Sequence, residues 1–158
     1  MSEPVKIGDK APPFSLPSES GETVRLADYI GKKPVVIFFY PKDNTIVCTK
    51  EACAFRDSYE EFSRLDGAEV FGISSDPVES HKSFSKQYRL PYTLLSDERG
   101  TVRELYGVPR TFGILEGRVT YVIDPSGTVI KIISSQLGYK KHVEEALLAL
   151  RSSRNEKI

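Results

Sequence analysis

The sequence predicts an α/β fold: a mixed central sheet flanked by helices, preceded by a small N-terminal hairpin. Three observations lead there. A near-continuous apolar run, Pro34-Val35-Val36-Ile37-Phe38-Phe39-Tyr40, stops at Pro41 and has the length and character of a strand covered on both faces. Stretches with helical spacing then alternate with short apolar strands, and such strand–helix–strand units imply parallel pairing through right-handed crossovers. Towards the C-terminus, two apolar runs flank Asp124-Pro125-Ser126-Gly127, a hairpin signal that adds antiparallel strands.

The elements follow in order. Phe14-Ser15-Leu16 and Thr23-Val24-Arg25-Leu26 flank a Ser/Glu/Gly turn and predict the N-terminal hairpin. Asp28-Tyr29-Ile30-Gly31 reads as one helical turn stopped by glycine, and the strand at residues 34–40 comes next. From about Cys48, Ala52, Phe55, Tyr59, Phe62 and Leu65 recur every three or four residues, the stripe of one helix face, which Gly67 ends. Ala68–Ser74 is the next strand. Asp76-Pro77-Val78-Glu79 reads as a helix start, with Asp76 at the N-cap, Pro77 at the first helical position and Glu79 two further on, and the helix runs to about Tyr88. Thr93–Leu95 is a short strand, Thr101–Tyr106 a short helix, and Gly107-Val108-Pro109 a turn. Arg118–Ile123 and Thr128–Ile133 form the closing hairpin. Val143, Ala146, Leu147 and Leu150 stripe a terminal helix over His142–Arg151, leaving a polar, frayed tail at residues 152–158. Residues 1–158 thus read as a single domain with its core at about 5–151.

Composition narrows the function. A chain of 158 residues buries roughly 70% of the surface its unfolded form exposes, so it needs no disulfide staples. Its 22 basic and 22 acidic residues cancel, and no Lys/Arg run exceeds the pairs Lys32-Lys33 and Lys140-Lys141. That balance argues against a nucleic-acid surface. No apolar run approaches the roughly 20 residues that span a bilayer. The start, Met1-Ser2-Glu3-Pro4-Val5-Lys6, lacks the apolar core of a signal peptide. The expectation is a cytoplasmic protein, the alternative being an organelle reached by a targeting segment that is no longer present. In either setting close cysteines are more often catalytic or metal-binding than structural.

Cys48 and Cys53 are the only cysteines and sit five residues apart. Cys48 falls where the strand at 34–40 hands over to a helix, and functional residues of such sheets favour the carboxyl ends of strands. A helix N-terminus, with its unpaired N–H groups and positive dipole end, favours a thiolate. Thr45, three residues earlier, places a hydroxyl at the same entrance, either towards a substrate or as a plain N-cap. On an ideal helix, residues five apart have Cα atoms roughly 8.6 Å apart. A disulfide needs about 4.4–6.8 Å. If both cysteines are helical when reduced, they bond only after a turn unwinds. The other readings are a small buried hydrophobe and a metal site. Two cysteines five apart with His81 and His142 do not have the spacing of a closed zinc centre, and the pair is not the Cys-x-x-Cys of thioredoxin-type exchange. His81 is expected at the surface, and Phe39, Tyr40 and Phe55 as packing around the cysteine. There is no Gly-rich phosphate loop, haem motif or flavin signature.

Phe39-Tyr40-Pro41, Thr45-x-x-Cys48, the run Cys48-Thr49-Lys50-Glu51-Ala52-Cys53-Ala54-Phe55-Arg56-Asp57 and the distant Gly117-Arg118-x-Thr120-Tyr121-Val122-Ile123-Asp124 resemble the peroxiredoxins. The match is to the Q-type, or bacterioferritin comigratory protein, subgroup, and covers roughly residues 5–150. The resemblance implies a thioredoxin-like fold and a thiol peroxidase without metal or organic cofactor. Carried over by position, it makes Cys48 the peroxidatic nucleophile and Cys53 the resolving thiol that closes an intramolecular disulfide. Thr45 would hydrogen-bond peroxide and thiolate, and Pro41 would shield the site from water. Arg118 would steady the thiolate and the charge developing on the peroxide oxygens, with Glu51 orienting it. The implied substrates are hydrogen peroxide and organic hydroperoxides, and the implied reductant is thioredoxin or a similar dithiol. An internal resolving cysteine makes a monomer the expected state.

One departure stands out. Where the family usually has proline after the motif threonine, and the Q-type often glycine before the cysteine, this chain has Ile46 and Val47. A β-branched pair lacks the φ lock of proline and has modest helix propensity. The expectation is a first turn that unwinds more easily, or a narrower pocket. Two alternative functions fit the residues: a general thiol–disulfide oxidoreductase on the same fold, and a non-enzymatic binding or holdase module with structural cysteines.

Overall fold

The computed structural model describes residues 4–108, 110–111 and 115–156. Its centre is a five-stranded sheet of β3 (Val35–Phe39), β4 (Glu69–Ser74), β5 (Thr93–Ser96), β8 (Val119–Ile123) and β9 (Val129–Ser134), in the order β5-β4-β3-β8-β9. β3, β4 and β5 run parallel, and β8 and β9 join antiparallel. This is the mixed, helix-flanked sheet the sequence predicts. The predicted N-terminal hairpin is β1 (Ser15–Pro17) against β2 (Thr23–Arg25), with Leu16 opposite Val24. A second small hairpin, β6 (Arg110–Thr111) with β7 (Leu115–Glu116), lies just after the expected turn at 107–109.

Strand alternation divides the core in two. Val36, Phe38 and Tyr40 point to one face and pack with α1 (Ile46–Asp57), α2 (Tyr59–Ser63), α3 (Val78–Tyr88) and α5 (Tyr139–Glu156). Val35, Ile37 and Phe39 point to the other, against β1 and α4 (Thr101–Tyr106). The apolar run at 34–40 is continuous because both faces are covered.

Boundaries differ from the sequence reading in three informative places. The long helix expected from Cys48 to Gly67 breaks at Ser58 (φ −103°, ψ 3°), so α1 and α2 are separate helices. Ala52, Phe55, Phe62 and Leu65 are still buried on one side, which is why the stripe read as one element. The start of α3 is not capped by Asp76: Pro77 holds the N-cap position, and the Asp76 carboxylate accepts from the Asp43 N–H (2.8 Å) and the Ser74 hydroxyl (2.6 Å) instead. The last helix runs from Tyr139 to Glu156, past the expected end at Arg151. Val143, Ala146, Leu147 and Leu150 form its buried face as predicted.

Candidate active site

β3 leads directly into the site. Tyr40 continues the strand direction into the core, Pro41 to Thr45 form a short loop, and α1 begins at Ile46. Thr45 occupies the N-cap position with extended backbone (φ −81°, ψ 156°), and its carbonyl accepts the first helical bond, from the Thr49 N–H at 2.9 Å. Its hydroxyl makes no cap bond but donates to the Lys42 carbonyl at 3.0 Å. The first-turn N–H groups, that of Cys48 included, therefore have no side-chain cap, and the positive end of the helix dipole is left at the thiol. Cys48, Glu51, Ala52 and Phe55 are the buried residues of α1, spaced three, four and seven apart as one face requires.

The partner strand delivers the cation. β8 pairs antiparallel with β3, Val119 opposite Phe39, so Arg118 sits beside Tyr40 at the carboxyl end of β3. Its guanidinium is 4% exposed and donates in three directions: Nη2 to Cys48 Sγ at 3.2 Å, Nη1 to Glu51 Oε1 at 2.9 Å, and Nε to the Gln136 carbonyl at 2.9 Å. A rigid fork can do this and an ammonium cannot. Burial works against the Arg118 charge, but Glu51 and the Cys48 sulfur outweigh it and hold the guanidinium above its ordinary value.

Glu51 is buried completely. Burial pushes its carboxyl up to about 7, with the charge and hydrogen bond of Arg118 pulling the other way. Its second oxygen, Oε2, has no hydrogen-bond partner and lies 3.7 Å from His142 Nδ1. His142, also fully buried, donates from Nε2 to the Ser135 carbonyl at 2.8 Å, so Nδ1 accepts the Thr120 hydroxyl at 2.7 Å. Burial lowers its affinity for a further proton, and the ring is neutral. Cys53 is half-buried on the same helix. Burial pushes its thiol up, Arg56 opposing and Asp57 adding to the shift.

Of the residues singled out in the sequence, Cys48, Glu51 and Arg118 meet. Pro41 is half-buried at the head of the loop, and Thr45 is exposed at its end with its hydroxyl turned to Lys42. Cys48 and Cys53 are both free and both helical. Ile46 is 76% exposed. His81 corrects the surface expectation: it is fully buried on the inward face of α3 with Phe84. The i, i+3 spacing of these two was the available signal. Nothing in the local sequence announced that His142 would back Glu51, because that contact joins α1 to α5.

A buried thiol at a helix start, held by an arginine fork and followed on the same helix by a second free thiol, belongs with thiol-based redox enzymes of the thioredoxin-like fold. Comparison with known proteins is specific. The AhpC/TSA family model matches residues 7–132. The chain is 53% identical over 150 residues to chloroplastic peroxiredoxin Q of Gentiana triflora, covering 94% of this chain and 68% of that protein. It is 53% identical over 149 residues to its counterpart in Sedum lineare, covering 94% and 79%. Among solved structures, peroxidoxin BcpB of Mycobacterium tuberculosis superposes with TM-score 0.85 at 41% identity, covering 93% of this chain and 97% of that one. The Xanthomonas campestris bacterioferritin comigratory protein superposes with TM-score 0.81 at 28% identity, covering 89% and 92%. The chain belongs to the AhpC/TSA family, and with these peroxiredoxin Q relatives it is a thiol peroxidase.

Proposed function

We propose that Cys48 is the peroxidatic cysteine and Cys53 the resolving one. The observation that carries this assignment is the Arg118 bond to Cys48 Sγ: a buried sulfur facing a buried cation at an uncapped helix start is held as a nucleophile. The Cys48 thiolate attacks the hydroxyl oxygen of a hydroperoxide. The S–O bond forms, the O–O bond breaks, and the leaving alkoxide (or hydroxide) takes a proton to become alcohol or water. Sulfur is oxidised to sulfenic acid and the peroxide reduced. Negative charge grows on the leaving oxygen, where Arg118 supplies a prepositioned donor. Glu51 keeps the guanidinium in place. The Thr45 hydroxyl, its hydrogen committed to Lys42, has an oxygen free to accept the hydrogen of the peroxide. Pro41 shields the niche from water.

The Cys53 sulfur then attacks the Cys48 sulfenic sulfur, expelling the hydroxyl as water with the Cys53 proton. An external dithiol, thioredoxin in our reading, reduces the disulfide by exchange and is itself oxidised. Helix spacing places the two Cα atoms roughly 8.6 Å apart, so closure requires the first turns of α1 to unwind. The Xanthomonas relative is described by its alkyl peroxide reduction activity, which supports organic hydroperoxides beside hydrogen peroxide. The names of the plant relatives carry the word chloroplastic and favour the organelle setting over the cytoplasm. No helix among the described residues is long and apolar enough to cross a membrane. We infer a monomer built as one domain, since the disulfide closes within the chain.

The test is peroxide consumption with a dithiol donor. Wild-type protein turns over, and Cys48→Ser does not. Cys53→Ser reacts once and stops at sulfenic acid. Mass spectrometry after one equivalent of peroxide should find Cys48 joined to Cys53 within one chain. Undiminished turnover in Cys48→Ser would overturn the assignment.

A further inference from the structure

A second buried polar cluster lies next to the site and takes no part in the chemistry above. The Asp43 carboxylate, in a residue only 3% exposed, accepts three bonds: from the Tyr40 hydroxyl to Oδ1 at 2.6 Å, and from the Ser80 hydroxyl and His81 Nδ1 to Oδ2, both at 2.8 Å. His81 Nε2 faces the Leu95 carbonyl at 3.0 Å. His81 thus bridges two acceptors, the Asp43 carboxylate and the Leu95 carbonyl. Burial, and the Asp43 charge after it, raise the Tyr40 phenol well above its ordinary value and keep it a donor. The half-buried Glu19 carboxyl is raised by burial, opposed by backbone hydrogen bonds at Glu19 and Leu94 and, least, by His81. Asp43, Asp76 and His81 stand close enough to hold a metal ion. However, the two oxygens of Asp43, Oδ2 of Asp76 and both ring nitrogens of His81 are already committed to these hydrogen bonds and to those from the Asp43 N–H and Ser74, so the cluster is a closed network.

Its position gives it a job. Asp43 lies in the loop between β3 and α1, five residues before Cys48. Side chain and backbone together fasten that loop to α3 and to the end of β4. Just beyond, the fastening stops. Asn44 is in the left-handed region (φ 65°), Thr45 and Ile46 are exposed, and the first turn of α1 has no side-chain cap. A rigid anchor is followed directly by a pivot and a weakly held turn.

We propose that Tyr40, Asp43 and His81 are positioning residues that anchor the fixed end of the unwinding helix and thereby set the balance between Cys48 in the arginine niche and Cys48 delivered to Cys53. This rests on the peroxidatic and resolving roles above. With the anchor intact, the closed form that reacts with peroxide is favoured, and opening is confined to the residues after Asn44. Weakening the anchor shifts the population towards the open form. Oxidation of Cys48 then slows, while closure of the disulfide quickens.

Two rates measured separately decide it. Cys48 oxidation is followed by mass-spectrometric trapping of sulfenic acid in a Cys53→Ser background, and disulfide closure by quenched flow with otherwise wild-type cysteines, both with hydrogen peroxide. In Asp43→Asn the ratio of closure rate to oxidation rate should rise about tenfold, the scale of one charge-assisted hydrogen bond. In Tyr40→Phe, which removes one donor and keeps the ring, it should rise by a smaller factor in the same direction. If Asp43→Asn does not fold, Tyr40→Phe decides. Rates that both fall by the same factor, or neither of which changes, would overturn the proposal and leave the cluster a packing feature. Failure of the cysteine roles shows differently: sulfenic acid would not form on Cys48 in any background.

Discussion

The two histidines of this chain are both fully buried, and each stands behind an acidic residue of the segment that carries Cys48, yet they are different objects. His81 faces acceptors at both nitrogens and pairs with Asp43 at 2.8 Å. His142 faces an acceptor at one nitrogen and a hydroxyl donor at the other, and it stops 3.7 Å short of Glu51. The first arrangement satisfies a buried carboxylate with three donors. The second leaves Glu51 Oε2 unpartnered, and burial raises that carboxyl to about 7. The carboxylate before the helix is fully paired, while the one behind the arginine keeps one oxygen without a hydrogen bond.

The contrast can be broken most directly by deletion. His81→Leu leaves the buried Asp43 carboxylate short of a partner and should cost about 3 kcal/mol in urea unfolding. His142→Leu removes neutral hydrogen bonds and should cost about 1–3 kcal/mol. Equal losses would erase the distinction.

A smaller effect follows from Glu51. Its carboxyl is raised in the folded protein, so between about 4.5 and 7 the native state binds a proton the unfolded chain has released. That contribution to stability is present at low pH and is lost as pH rises through about 7. Unfolding free energies of wild type and Glu51→Gln should therefore converge at low pH and diverge towards neutrality, with the wild type losing ground. His142 contributes with the opposite sign. Its folded-state affinity for a proton is lowered, so its contribution is present above about 6.5 and is lost as pH falls. Parallel curves for the two proteins would remove Glu51 as the source.

The smallest expected effect sharpens the picture at His142. Thr120→Val removes the hydroxyl that Nδ1 accepts and should cost about 1 kcal/mol. Imidazole nitrogen resonances should then show His142 altered and His81 unchanged. A matching change at both rings would show that the two networks are coupled across the sheet.

Much of this was readable from residues alone, for definable reasons. The strand at 35–39 and the inward face of α1 announce themselves because burial on both faces, or on one stripe, writes a periodic pattern. Cys48 was legible from its place at a strand–helix junction, and Arg118 from its motif with Thr120. The buried state of Glu51 was not, since a carboxylate early in a helix looks solvated until α5 is laid over it. His81 was misplaced at the surface although its i, i+3 spacing to Phe84 marked an inward face; its partner Asp43, 38 residues away, left no local trace. Asp76 carried every local mark of an N-cap and was claimed by the Asp43 backbone and Ser74. The break at Ser58 leaves the apolar stripe intact and so leaves no trace in it.

The burial of Cys48, 1% exposed, has a consequence for whatever regenerates the protein. In the resting form its sulfur offers a docking reductant nothing to touch, and Cys53 is only half-open. If Cys48 and Cys53 pair as proposed, the bridge becomes reachable when the first turns of α1 come apart, which is also when it would form. On that reading, spent molecules would differ from fresh ones in shape at the start of α1.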